Sequence, residues 1–263
     1  MTASTPPGAA AAGHSPGQAG TTCSAADWVS LQLRCEALER YVPRGSRVLQ
    51  VNAGTGRFTQ VLHQLDCRIS VVDESPVELE SHRARAVAGG FSGSIESWSQ
   101  QDIEELAGTA DGAYDAVVAY NGALSFALKR RDRALAECGR VLRAGGVLAL
   151  DVLSLWGTLQ RRLPLLVRHD LVHNRAVIRS GDLLQANRKC HLFRAAELKT
   201  FLCRAGFEML HLSASSFLST GMAMPASSEL DAWSTLLEYE RAACVEQGCL
   251  DGGNRLIAVV RRC

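Results

Sequence analysis

The apolar residues of this chain change their spacing again and again, and the changes come in a regular order. From residue 24 onward, Trp28, Leu31, Cys35, Leu38 and Val42 recur at intervals of three and four, which predicts an amphipathic helix. Ser24 and Asp27 supply an S-x-x-D capping box at its start, and Pro43 with Gly45 closes it. "RVLQV" (47–51) is a short β-branched run that reads as a strand, and "RFTQVLHQL" (57–65) returns to helical spacing. The alternation then continues. "RISVVDES" (68–75) reads as a strand, "PVELESHRARAVA" (76–88) as a helix, "SIESWSQQDI" (94–103) as a weak strand and "YDAVVAYN" (114–121) as a clear one. "RDRALAECGRVL" (131–142) is a helix ended by "RAGG", and "VLALDVL" (147–153) is a buried strand. After a less regular stretch, "RAAELKTFLCRAG" (194–206) predicts a helix, "FEMLHLSAS" (207–215) a strand, 229–243 a further helix and "RLIAVVRR" (255–262) a final strand. Strands separated by helices of about ten residues predict a doubly wound α/β fold, its parallel sheet covered on both faces.

In such a sheet the first strand-to-helix turn is the usual ligand cradle. Here it reads "VNAGTGRF", and Gly54 and Gly56 let backbone approach a ligand with no Cβ between. Asp73 ends the second strand seventeen residues past Gly56, where a carboxylate can accept both hydroxyls of a ribose. A dinucleotide fingerprint would need glycine or alanine at 59, and Thr59 stands there. The pattern therefore points to a nucleoside without a pyrophosphate.

"VLQVNAGTGRFTQVL" resembles motif I of the class I S-adenosylmethionine-dependent methyltransferases, a strand and an acidic residue followed by G-x-G-x-G. "VVDES", "QQDIEEL", "YDAVVAYNGALSF" and "ALAECGRVLRAGGVLALDV" are similar to the later motifs of that family, in the same order. The resemblance runs from about residue 30 to the C-terminus. It implies a Rossmann-like, seven-stranded, mostly parallel sheet with the last strand antiparallel, and S-adenosylmethionine as cofactor. It also implies that Gln50, Asn52, Ala53, Gly54 and Gly56 pass beside the methionine and ribose, and that Asp73 with Glu74 holds the ribose. Asp102 and Ile103 would mark the adenine. Tyr120 and Asn121 would sit where the sulfonium and the acceptor meet.

Two positions depart from the family pattern: Gln50 replaces the acidic residue of motif I, and Asn52 replaces its first glycine. Gln keeps hydrogen-bonding capacity but loses the charge that favours a cationic ammonium, while Asn tolerates left-handed backbone. The expected activity is methyl transfer to a small organic molecule, in specialised metabolism, by direct in-line attack. Two alternatives stay open. The fold could serve a non-methylating step such as an intramolecular ring closure, or form a non-catalytic subunit in which cofactor binding is weakened or lost.

On the acceptor side, 154–190 is an insertion expected to cap the substrate. Trp156, Leu159, Leu163, Leu166 and Val167 have helical spacing within it. His169, His173 and His191 are the candidate bases. His191 ranks first and is expected, with Tyr120, to assist deprotonation. Trp28, Asn121, Trp156 and His173 are the expected substrate contacts. "YNGA" after the fourth strand differs from the N-P-P-Y or D-P-P-Y of enzymes that methylate nucleic-acid amino groups.

Composition narrows the picture further. A formal net charge of +1 without a Lys/Arg block disfavours a nucleic-acid partner. Nine cysteines, odd in number and without a C-x-x-C pair, suit reduced thiols in a cytoplasm and give no zinc spacing. No run of eighteen apolar residues suggests a membrane span. Residues 1–23 are low-complexity, unlike a signal peptide, and are expected to be disordered ahead of a single methyltransferase-like domain, 24–263.

Overall fold

The computed structural model describes residues 24–169, 171–185, 188–222 and 230–263, the backbone alone at 163–169, 171–174, 185 and 230. The segment expected to be disordered, 1–23, lies outside the described residues. In chain order the elements begin with α1 (Ala25–Tyr41), β1 (Arg47–Val51), α2 (Arg57–Gln64), β2 (Arg68–Asp73), α3 (Pro76–Ala88), β3 (Ile95–Gln100) and β4 (Tyr114–Ala119). They continue with α4 (Ala123–Ala127), α5 (Arg131–Val141), β5 (Leu142–Leu153), α6 (Leu155–His169), α7 (Leu171–Ser180), β6 (Asp182–Gln185) and β7 (Arg188–His191). α8 (Ala195–Arg204), β8 (Phe207–Ala214), α9 (Leu230–Ala243) and β9 (Arg255–Arg262) complete the fold.

Seven strands form one sheet in the order β3-β2-β1-β4-β5-β9-β8. The first five run parallel, and β9 is antiparallel to both of its neighbours, β5 and β8. Successive residues of the central strands point to opposite faces, and both faces are buried. Val48, Val118 and Ala149 pack with α1, α2, α3 and α9, while Leu49, Val117 and Leu148 pack with α5 and α8. That double burial explains the near-continuous apolar runs read from the sequence. The capping box also forms: the Ser24 hydroxyl accepts the Asp27 N–H at 3.2 Å, and the Asp27 carboxylate accepts the Ser24 N–H at 3.3 Å.

The differences from expectation have local causes. The strand expected from Val147 begins at Leu142, because the "RAGG" turn remains in the ladder as an irregularity opposite Tyr114 and Ala116. "YNGALSF" holds a short helix, α4, entered through Asn121 and Gly122, both with left-handed backbone. The stretch expected to be an insertion holds two helices and leads into a hairpin, β6–β7, whose pairing of Asp182 with His191 periodicity does not reveal.

α6 approaches the turn before β9 so closely that a Cβ at Gly157 would overlap the carbonyl oxygen of Gly253. Gly157→Ala is therefore expected to destabilise the fold by about 1–3 kcal/mol through overpacking. Gly248→Ala, at a site with nothing within 4 Å, is expected to leave the urea midpoint nearly unchanged.

Candidate active site

Two depressions open at the carboxyl ends of the strands, where the chain leaves β1 and β4 toward opposite faces of the sheet. One, about 480 Å³ and open to solvent, is walled by Val72, Asp73, Gln101, Asp102, Ile103 and Ala123. The other, about 1170 Å³, has the 52–55 turn along one side and Arg34, Phe58, Glu78 and Asn121 around it. Asn52, Asp73, Glu74 and Arg188 line both, so the two make one trough.

The turn is left-handed at Asn52 (φ 53°), Gly54 (φ 54°) and Gly56 (φ 81°). Asn at 52 fits because its short polar side chain tolerates that conformation. Its carbonyl accepts the Asn121 amide N–H at 3.0 Å, which ties the exits of β1 and β4 together. Asp73 ties in the third exit. One of its oxygens accepts the Gly54 N–H at 3.1 Å and the other the Ser75 N–H at 3.0 Å. Asp73 is buried, and each oxygen keeps a lone pair for a ligand hydroxyl.

Gln50 is buried beneath the turn and lines neither depression. The Thr59 hydroxyl donates to its Oε1 at 2.6 Å, and Thr59 Oγ1 lies 2.8 Å from His82 Nε2. The Trp98 indole N–H donates to His82 Nδ1 at 3.1 Å. Nε2 must then carry the proton of a neutral ring, so the relay runs Trp98 to His82 to Thr59 to Gln50. A Cβ at Gly56 would stand 2.9 Å from the His82 ring, which makes that ring the support of the turn.

A charged cluster holds the other side of the trough. Asp151, fully buried on β5, accepts the Gly122 N–H at 2.6 Å, Arg255 at 3.0 Å and Arg34 at 2.9 Å. Arg34, fixed this way, lies over the Phe58 ring at 4.9 Å. At the opposite rim Arg188 pairs with Glu74 at 2.7 Å and lies over Phe126 at 4.6 Å.

The trough brings together Asn52, Ala53, Gly54, Asp73, Glu74, Asp102, Ile103 and Asn121 of the residues expected from sequence. Others stand elsewhere. Tyr120 is buried edge-on to Phe58 at 4.8 Å, and its hydroxyl donates to the Arg34 carbonyl at 3.1 Å. Burial, and then the Asp151 carboxylate, push its phenol well above 10, so the expected base is a protonated core residue. His191 lies on the β6–β7 hairpin, with Nδ1 2.9 Å from Asp182, Nε2 2.7 Å from Glu197, and lines neither part of the trough. It joins the hairpin to α8. Trp156 is exposed under Arg194, and Trp28 packs edge-on to Trp233 at 4.6 Å. The side chains of His169 and His173 lie outside the described residues. Arg34, Glu78, Gln101 and Arg188 were not expected. Gln101 adjoins the motif aspartate at 102, whereas tertiary contacts alone bring Arg34 and Arg188 to the trough. Among the described residues no three His, Cys, Asp or Glu side chains converge as metal ligands would, and no helix is long and apolar enough to cross a membrane.

Burial lowers the His82 pKa to about 4, from 6.5. As pH falls the unfolded chain therefore takes up this proton first, so the contribution is complete above pH 6.5 and declines between pH 6.5 and about 4. The expected loss is up to about 3 kcal/mol at 1.36 kcal/mol per pKa unit. In His82→Gln this slope of unfolding free energy against pH should disappear.

A family model described as a methyltransferase domain matches residues 49–150. The ubiquinone biosynthesis O-methyltransferase of Methylocella silvestris is 32% identical over 133 residues, which are 49% of this chain and 50% of that protein. The match thus spans about half the length of this curated relative. Among solved structures, the 4+2-cyclase SpnF superposes with a TM-score of 0.60 at 24% identity, over 88% of this chain and 81% of its own. The 1,6-didemethyltoxoflavin-N1-methyltransferase of Burkholderia thailandensis was solved with 1,6-didemethyltoxoflavin and S-adenosylhomocysteine bound. It superposes at 0.55 and 18% identity, over 89% of this chain and 78% of its own. At those identities the two structures speak for the fold. Residues 49–150 thus match a methyltransferase domain, and the strand order agrees with the motifs in sequence that resemble those of the class I S-adenosylmethionine-dependent methyltransferases, with a divergent first motif.

Proposed function

We propose that this protein is an S-adenosylmethionine-dependent methyltransferase whose acceptor is a small organic molecule. The observation that carries the reading is the trough itself, which offers a nucleoside end and an amino-acid end joined at Asp73. Its lining fits the cofactor. Gly54 presents backbone without a side chain to the ligand path, and Gln101 Oε1 is buried with no partner among the described residues. Asp73 would hold the ribose hydroxyls, Gln101 and Asp102 the adenine, and Ile103 the face of the ring. When bound, the cofactor supplies a methyl group on a sulfonium, activated for transfer.

The chain's own part is positioning. Asn121 and Asn52 brace the turn, and Asp151 braces Arg34, so the geometry of the trough is set before ligand enters. Alignment of that kind lowers a displacement barrier by several kcal/mol without a strong acid or base. With Tyr120 protonated in the core and His191 tied to two carboxylates, the acceptor loses its proton to solvent or to a residue beyond those described. The insertion, 154–190, is the proposed cap over the acceptor, and specialised metabolism in the cytoplasm is the setting in which we place it. The eight cysteines among the described residues are free thiols, in keeping with that compartment.

A second reading is a non-methylating step on the same scaffold, favoured by the buried, neutral Gln50 in place of an acid. Calorimetric titration with S-adenosylmethionine and S-adenosylhomocysteine tests the first reading. Micromolar binding of both is expected, with Asp73→Ala weakening each at least a hundredfold, since two turn amides and the ribose lose one acceptor together. An absence of heat up to millimolar ligand would overturn methyl transfer and leave the second reading.

A further inference from the structure

Three carboxylates line the turn side of the trough: Asp73, Glu74 and Glu78. Asp73 spends one lone pair on each of two turn amides, and Glu74 is paired with Arg188. The carboxylate of Glu78 has no partner among the described residues. One of its oxygens lies 3.8 Å from where a Cβ on Gly54 would stand, so it reaches over the bare floor of the turn. Three guanidinium groups line the same side: Arg34, Arg57 and Arg188. Arg34 is bound to Asp151 and Arg188 to Glu74, while Arg57, the first residue of α2 and exposed, has no carboxylate partner among the described residues. One anion and one cation are left over, beside the turn that the amino-acid end of the cofactor would cross. That is the complement of a zwitterion.

We infer that Glu78 takes the α-ammonium of the cofactor and Arg57 its α-carboxylate, so that Glu78 does the work of the motif I acid that Gln50 cannot do. This rests on the reading under Proposed function. It also accounts for the departure at position 50. Gln50 is committed to Thr59, which in turn meets the neutral His82, and a charge there would be buried beneath the turn among uncharged partners. From the first turn of α3, Glu78 meets the same need from the solvent side, where an unpaired carboxylate costs little.

The test compares S-adenosylhomocysteine with 5′-methylthioadenosine, which keeps the nucleoside and thioether but lacks the amino-acid end. Both are titrated calorimetrically into the full chain and into Glu78→Gln, Arg57→Gln and the control Glu80→Gln. Glu78→Gln and Arg57→Gln should each weaken S-adenosylhomocysteine on the order of tenfold and leave methylthioadenosine and the thermal midpoint unchanged. Glu80→Gln should bind both ligands like the wild type. Unchanged affinity for S-adenosylhomocysteine in Glu78→Gln would overturn the inference. Equal weakening of both ligands would do the same, because Glu78 would then serve the ribose. A wild-type chain that binds neither ligand would instead overturn the proposed function on which the inference stands.

Discussion

Asp73 accepts backbone N–H groups from two separate turns, Gly54 after β1 and Ser75 before α3, and the shape of the trough depends on that shared acceptor. Charge-assisted bonds of this kind are worth roughly 1.5–3 kcal/mol each. They hold the left-handed turn against the end of β2, and the amide of Asn121 holds the same turn against the end of β4. Three strand exits are thus fixed relative to one another before any ligand arrives. The same carboxylate retains lone pairs that face the trough, so the group that builds the site is also the group best placed to read a ribose.

The two flanks of the turn are stabilised by opposite electrostatic means. Beneath it, Trp98, His82, Thr59 and Gln50 form a neutral relay in which each donor meets one acceptor, and burial keeps His82 uncharged. Beside it, the Asp151 carboxylate accepts from Arg34, Arg255 and the Gly122 amide. A buried charge is tolerated there because three donors surround it. Beneath the turn the hydrogen-bonded partners are uncharged, and a glutamine in place of an acid suits them.

Arg188 links the β6–β7 hairpin to the rim of the trough through Glu74 and Phe126. His191 secures the base of that hairpin to α8. Its ring abuts Gly181, where a Cβ would lie 2.8 Å away, so its burial is part of how the hairpin closes. His191 is held by packing and by two carboxylates, whereas Asp73, Glu78, Gln101 and Asn121 line the trough.

Alternating apolar periods were enough to read the parallel sheet and most of its helices, because the central strands bury both faces and most helices bury one. The glycine turn and Asp73 were legible too, since left-handed backbone and a carboxylate at a strand end leave marks in a short stretch of chain. The hairpin at 182–191 was not, because a cross-strand pair such as Asp182 with His191 leaves no periodic trace. Nor were the roles of Tyr120 and His191. A polar residue near a motif looks the same in sequence whether its side chain turns to the core or to the cleft, and packing against Phe58 and Phe193 decided both. Arg34 and Arg188 come from distant parts of the chain to one trough, and only the folded sheet sets them there. Sequence by itself determined the backbone that could cradle a nucleoside; the tertiary structure decided which charges are already paired and which remain for a ligand, because pairing depends on distance in space and not along the chain.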